Sequence, residues 1–388
     1  MRILQLIYES ARSPFGFGGA GVRAHEIYRR LGDRHEIDLL CMRYPGARDG
    51  VTGGLRHVFV GTESRSLSRS VAAYTLRAAS FVRRFGWRYD VVVENFLPST
   101  PFFAGLLTRT PVVLQVQGVM GPHALRKFPI HYAYPLFAVE HLYPSLYDKL
   151  VFVSEATKAR VLARHRRRIT LCEVVPNGVP KEFLTAESAE EDYILFFSRI
   201  DVYTKGLDVL LKAFAALARR VPGVRLMLAG FPADDVVSLL TTLPADVRQR
   251  AEYVGFVEGE AKTRLLSRAK FVVLPSRHES APICVVEAAA CGKAVIVSDI
   301  PELRFVESSG LGLTFPSESV DRLRDRMENL LTDVGLRKRI GEVARAWAAR
   351  YSWDDIAVAF EDVLGRVPRA QGDAHIRKSL ENLHRGAI

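Results

Sequence analysis

Glu279 and Glu287 stand eight positions apart in SRHESAPICVVEAAACGKAVIVSD, where the chain leaves a strand, crosses a short loop and enters a helix. Lys270 to Pro275 reads as a buried strand, Ala294 to Ser298 as its parallel partner, and Cys284 to Ala290 as the helix between them. Pro282 suits a first helical turn and Gly292 the position just past the last. The backbone N–H groups of Ala281, Ile283 and their neighbours then face whatever lies beyond the strand ends, and the helix dipole adds partial positive charge. A phosphate fits such a place. Carboxylates repel phosphate, so Glu279 and Glu287 are better matched to neutral hydroxyls, from which they accept hydrogen bonds. A nucleotide sugar offers phosphates in the middle and ribose and hexose hydroxyls at either end.

Arg199 and Lys205 flank a loop after the predicted strand Tyr193 to Phe197, at the carboxyl edge where open α/β sheets bind ligands. A lone loop cation is usually just solvated. Here two cations and a helix N-terminus can converge on one diphosphate, each charge-assisted contact contributing roughly 1.5 to 3 kcal/mol. No D-x-D motif follows a strand and no His/Cys cluster has zinc spacing. The side chains of the adjacent pairs Asp234-Asp235 and Asp354-Asp355 diverge, which suits surface and capping roles. No metal and no cofactor are therefore expected, the leaving-group charge being met by Arg199, Lys205 and backbone amides.

GFGGAG, Gly16 to Gly21, matches the dinucleotide fingerprint letter for letter. ESARSPF separates it from the preceding strand, however, and Asp38 lies near the start of strand two and not at its far end. NAD-dependent dehydrogenation is the weaker reading. An open loop letting a ligand approach Gly18 and Gly19 is the stronger.

The 388 residues suit two domains of Rossmann size, and strands alternate with helices in both halves, which implies parallel sheets covered on each face. VPNGVPKEF, Val175 to Phe183, is turn-rich and reads as the linker. Leu207, Leu210, Leu211, Phe214 and Leu217 form one helical stripe. The tail after Pro368 is polar and expected to be loosely held. Cys41, Cys172, Cys284 and Cys291 form no C-x-x-C pair and read as reduced, buried thiols. No apolar run reaches the roughly 18 residues of a membrane span, and MRILQLIYES is too soon polar for a signal peptide, so the expected location is the cytoplasm.

The net charge of +11 is uneven: Met1 to Ala189 holds 26 Lys and Arg against 15 Asp and Glu, and the remainder 28 against 28. A basic half suits nucleic acid, an anionic membrane surface or an acidic substrate. The basic runs lack interleaved aromatics, which argues against nucleic acid. Ser64 to Gly86 carries Leu67, Val71, Tyr74, Ala78, Phe81, Val82 and Phe85 on one face and several arginines elsewhere. It reads either as a helix packed on the first sheet or as a membrane-surface helix, the latter supported by Arg164 and Arg166 to Arg168.

These residues resemble the retaining GT-B glycosyltransferases, in particular glycosyltransferase family four. FFSRIDVYTKGLDVLLKAF, LAGF, YVGFVEGE, PSRHESAPICVVEAAACGKAVIVSD with its E-x7-E spacing, PELRFVESSGLGLTF and YSWDDIAVAF are similar to family segments in that order; in the first half only the glycine loop, VSEATKARVL and VPNGV match. The resemblance implies two Rossmann-like domains facing each other across a cleft: an acceptor-side domain over 1–178, a nucleotide-sugar domain over 179–351, and a helix over 352–388 crossing back, with a polar tail. It implies that Arg199 and Lys205 bind the donor diphosphate, Glu287 the ribose and Glu279 the transferred sugar. Ser280, Ala281, Pro282 and Ile283 would hold phosphate and sugar, and Gly18 and Gly19 would border the cleft. Where many members carry a His after the strand matching Val112 to Val116, this chain has Gln117, which bonds a hydroxyl but takes no proton; His123 is nearby. The implied activity is metal-independent hexosyl transfer, with retention, from a UDP- or GDP-sugar to a sugar or lipid-linked acceptor of the cell envelope. A peripheral position at the inner membrane face is compatible with it, and an epimerase or hydrolase would share the donor site.

Overall fold

A computed structural model describes residues 1–368, apart from the side chains of Asp234 and Asp235. The tail from residue 369, expected to be loosely held, lies outside the described residues. The chain divides into two units by contact density, Met1–Pro176 with the described residues from Ile356 on, and Asn177–Asp355.

In the first unit eight strands form one sheet: β1 (Arg2–Leu6), β2 (Glu36–Met42), β3 (Gly50–Thr52), β4 (Leu55–Val60), β5 (Val91–Phe96), β6 (Val112–Val116), β7 (Lys149–Phe152) and β8 (Leu171–Val174). Their order is β3-β4-β2-β1-β5-β6-β7-β8, parallel except where β3 meets β4. The register pairs Ile3 with Ile37 on one side and with Val91 on the other. β5 is buried at every position, as a central parallel strand must be. The Leu67–Phe85 helix buries Ser70, Tyr74, Ala78 and Val82, and the Tyr74 hydroxyl donates to the Leu40 carbonyl at 2.7 Å. Of its two readings, the helix packed on the first sheet is the one observed, with Arg83 and Arg84 exposed.

The second unit holds β9 (Tyr193–Phe197), β10 (Arg225–Ala229), β11 (Ala251–Gly255), β12 (Val272–Leu274), β13 (Val295–Ser298) and β14 (Gly312–Phe315), all parallel in the order β11-β10-β9-β12-β13-β14. The Leu207–Ala218 helix buries the whole predicted stripe. Counting outward, the chain runs from β9 to β10 and β11 on one side and from β12 to β13 and β14 on the other. Between β9 and β12 the winding direction reverses, and that crevice is where such sheets bind ligands. The Trp353–Gly365 helix joins the first unit from Ile356 on. There Phe360 meets Tyr28 edge-on at 5.9 Å, and Glu361 accepts from Arg34 and His35, each at 2.6 Å.

Candidate active site

The loops after β9 and β12 bring Lys205 and Glu279 together. Asp201 caps the short Val202–Lys205 turn by accepting from the Thr204 amide at 3.0 Å. Gly206 then takes a left-handed φ of 67°, with the Pro275 carbonyl oxygen 2.0 Å from where a Cβ would stand. Only glycine fits there. Arg277 ties the two loops: its guanidinium donates to both oxygens of Asp208 at 2.8 Å and to the Tyr203 carbonyl at 2.7 Å, and lies over the Tyr203 ring. Desolvation opposes ionisation of Asp208, yet the bonds from Arg277 hold its carboxyl below the usual range.

Within this frame the Lys205 ammonium donates to Glu279 Oε1 at 2.5 Å, and the buried Ser276 hydroxyl donates to the same oxygen at 2.7 Å. Glu279 is only 6% exposed and Lys205 13%. Glu287, 4% exposed, accepts from Lys262 at 2.5 Å, and the Lys262 ammonium lies 5.0 Å from the Phe197 ring and 5.6 Å from that of Phe183. Both carboxylates are thus engaged by lysines, partners that the sequence reading did not name. A buried carboxylate without a counter-charge is costly, so a partner is needed until a ligand arrives.

The helix after Glu279 runs Ile283–Ala290, with Pro282 as its extended N-cap and not inside its first turn. Ser280 to Pro282 precede it, and the Ala281 carbonyl accepts from the Asn177 side chain at 2.8 Å. Arg199 is not drawn into the cluster: it is 64% exposed and paired with Asp201 at 3.3 Å. Burial pushes the Cys284 and Cys291 thiols up to about 12, which keeps them protonated and inert; Cys41 is buried too, whereas Cys172 is only half-buried. Among the described residues no three His, Cys, Asp or Glu side chains could hold one metal ion. Asp354 pairs with Lys181 at 2.5 Å and Asp355 accepts from Ser352 at 2.5 Å, which are surface and capping roles.

In the first unit Gly18 is the N-cap of the Gly19–Leu31 helix, and the Glu9 carboxylate accepts from the Gly21 amide at 2.5 Å. A Cβ on Gly18 would stand 2.8 Å from Glu9 Oε1. The anion at this helix start is the protein's own, which disfavours a dinucleotide pyrophosphate there. Gly19 is exposed. Gln117 follows β6 and donates to Asn95 Oδ1 at 2.6 Å, and His123 is half-buried in the Pro122–Lys127 helix. Two residues escaped the sequence reading. Asn177 lay in a segment read as linker and as a family match, with no role given to it, and Lys262 was not singled out at all.

Two parallel α/β sheets, the second with a cation–carboxylate cluster at its switch point, are the architecture of the GT-B fold class. A solved structure of Anabaena HepE in complex with UDP-glucose superposes with a TM-score of 0.73 over 94% of this chain and 99% of that one, at 18% identity. Residues 17–183 match the family model described as Glycosyltransferase Family 4, and residues 181–347 that of Glycosyl transferases group 1. The chain belongs to glycosyltransferase family four. It is 29% identical to the phosphatidyl-myo-inositol mannosyltransferase of Mycobacterium tuberculosis over 51% of this chain and 56% of that one. Against the GDP-mannose:cellobiosyl-diphosphopolyprenol alpha-mannosyltransferase of Xanthomonas oryzae it is also 29% identical, over 55% and 57%. The chain thus spans little more than half the length of these curated relatives.

Proposed function

We propose that the protein transfers a hexosyl group from a nucleoside diphosphate sugar to an acceptor hydroxyl, with retention at the anomeric carbon and without a metal. The observation that carries this is the Lys205–Glu279 pair beside the start of the Ile283–Ala290 helix, at the switch point between β9 and β12. A lysine and helix amides suit the donor diphosphate, and a carboxylate beside them suits the sugar hydroxyls. Glu287, held by Lys262, takes the ribose. Arg199 is exposed and short of contacts, so it can swing onto the phosphates.

In the transfer the bond from the anomeric carbon to the phosphate oxygen breaks and one to the acceptor oxygen forms on the same face. The acceptor proton passes to the leaving phosphate oxygen, so no protein base is needed, which fits Gln117 and its inability to take a proton. Lys205, Arg199 and the helix amides stabilise the charge that develops on that phosphate. The relatives' names support a UDP- or GDP-linked hexose as donor and an inositol lipid or a diphosphopolyprenol as the kind of acceptor. The first unit, with His123 and Gln117, faces that acceptor, and its basic surplus suits an anionic cytoplasmic membrane surface. Thermal shift against UDP, GDP and their hexose conjugates tests the donor half, since a bound donor raises the unfolding temperature. A protein that no nucleoside diphosphate stabilises would sink it, and product formation without acceptor would favour the epimerase or hydrolase alternative.

A further inference from the structure

The Ile130–Leu142 helix buries only Ala133 and Glu140 of its 13 residues. Ile130 is 68% exposed, Tyr134 64% and Leu142 71%, and Leu125 and Leu146 on the flanking segments are exposed as well. A helix apolar on every side normally lies inside a core or against lipid. This one cannot roll inward. Its buried Glu140 carboxylate accepts from the Met120 amide at 2.6 Å and the Gly121 amide at 2.7 Å, and rotation would strand all three groups. The apolar exposure is therefore built in.

The surroundings are basic. From Pro122 to Arg168 the chain carries nine Lys and Arg against three Asp and Glu. Arg126 and Lys127 precede the helix, while beyond it Arg164 bonds His141 and Arg167 donates to the Leu146 carbonyl at 2.6 Å. Apolar side chains and tyrosines set among cations fit the interface of an anionic bilayer. A second copy of the same surface would bring like charges together. We propose that the Ile130–Leu142 helix, with Leu125 and Leu146, is the surface that docks the protein on anionic lipid.

This rests on the membrane reading above and moves its contact from the Leu67–Phe85 helix to a different element. Because Glu140 grips Met120 and Gly121, between Gln117 and His123, a docked helix would hold those residues close to the lipid headgroups.

The test is sedimentation of the full chain at low ionic strength with vesicles of phosphatidylglycerol and phosphatidylcholine, and of phosphatidylcholine alone. The wild type should bind only the anionic vesicles. Ile130→Glu/Tyr134→Glu/Leu142→Glu should lower binding at least about tenfold while unfolding temperature and donor affinity stay unchanged. Arg126→Gln/Lys127→Gln should weaken binding and flatten its salt dependence. If the triple variant binds like wild type while Arg83→Gln/Arg84→Gln does not, the surface is misassigned though the membrane reading survives. If the wild type ignores every vesicle, both fall. If the triple variant instead turns a lipid-free dimer into a monomer, the surface is a self-contact and the lipid assignment is overturned. Donor binding by the wild type, measured in parallel, keeps the glycosyl-transfer reading separate.

Discussion

The Lys205–Glu279 pair changes what substitution at either residue should do. On a solvent-facing loop, as the sequence alone suggests, Lys205→Ala would spare the fold. In the structure its ammonium neutralises a carboxylate that is 6% exposed. Stranding that charge costs about 3 kcal/mol, so Lys205→Ala should lower the unfolding temperature as well as donor affinity. The double variant Lys205→Ala/Glu279→Ala should regain most of the stability and none of the affinity; calorimetry checks the first and titration with nucleoside diphosphate the second. Glu279→Ala alone frees Lys205 for phosphate, so it should lower kcat while affinity for the bare nucleotide is kept or raised. A parallel loss of nucleotide affinity would contradict the sugar role. Lys262 makes a separate prediction. It holds the carboxylate assigned to ribose, so Lys262→Met should weaken binding of a nucleoside diphosphate several-fold and leave inorganic pyrophosphate binding unchanged, with Lys262→Arg restoring much of the loss. Equal loss for both ligands would make Lys262 a general structural residue.

At the scale of elements, the end of β5 is stapled by Glu94. Its carboxylate accepts from the Tyr143 and Tyr147 hydroxyls and from the Phe102 and Ala104 amides, fixing the Phe102–Leu107 segment and the turn after the exposed helix to the sheet. Burial pushes its pKa from the ordinary 4.5 up to about 7. Between those values the folded protein keeps a proton that the unfolded chain has released. The contribution is therefore full below about 4.5 and is lost as pH rises through about 7, a change on the order of 3 kcal/mol. Wild type should lose stability across that window while Glu94→Gln, which does not titrate, stays level, so the stability of wild type relative to the variant in denaturant melts should fall as pH rises. A difference independent of pH would mean that Glu94 does not titrate there. The same scale decides what the sequence disclosed. β6, β9 and β10 were legible because each is an apolar run broken by at most one polar residue, β5 because it opens on three valines, and the Leu207–Ala218 helix because its apolar face repeats at helical period. The Ile130–Leu142 helix was not legible: it is apolar on all sides, so no period survives, and Pro135 sits inside it. β3, β8 and β14 lack an apolar run: Gly50–Thr52 is exposed throughout, and Leu171–Val174 and Gly312–Phe315 bury only one and two residues, unlike the equally short β12 and β13. Glu279, Glu287 and Lys205 could be singled out from residue type and position, and so could Arg199, which stands outside the cluster. The pairing of each carboxylate with a lysine could not, since Lys262 and Glu287 are 25 positions apart and on different helices.

Across the whole molecule charge is unevenly divided. The first 189 residues carry the entire surplus, whereas the second unit, Asn177–Asp355, holds 24 Lys and Arg against 26 Asp and Glu and so has no net positive field to draw in a dianionic diphosphate. Attraction there must be local, from Lys205, Arg199 and the Ile283–Ala290 helix start. The basic surplus of the first 189 residues acts over a Debye length and is screened by salt, whereas the partly buried Lys205 is screened much less. Raising salt should therefore release the protein from anionic vesicles well before it weakens donor binding. The same local set bears on the proposed leaving group. In the reading proposed above, two side-chain cations and a helix dipole match the charge that a divalent ion would otherwise neutralise. Transfer rates should then be unaltered by EDTA in a metal-stripped assay, and Lys205→Ala should not be rescued by magnesium or manganese. Activity that disappears with chelator and returns with either ion would show that the cations proposed here are insufficient and that a metal shares the diphosphate with them.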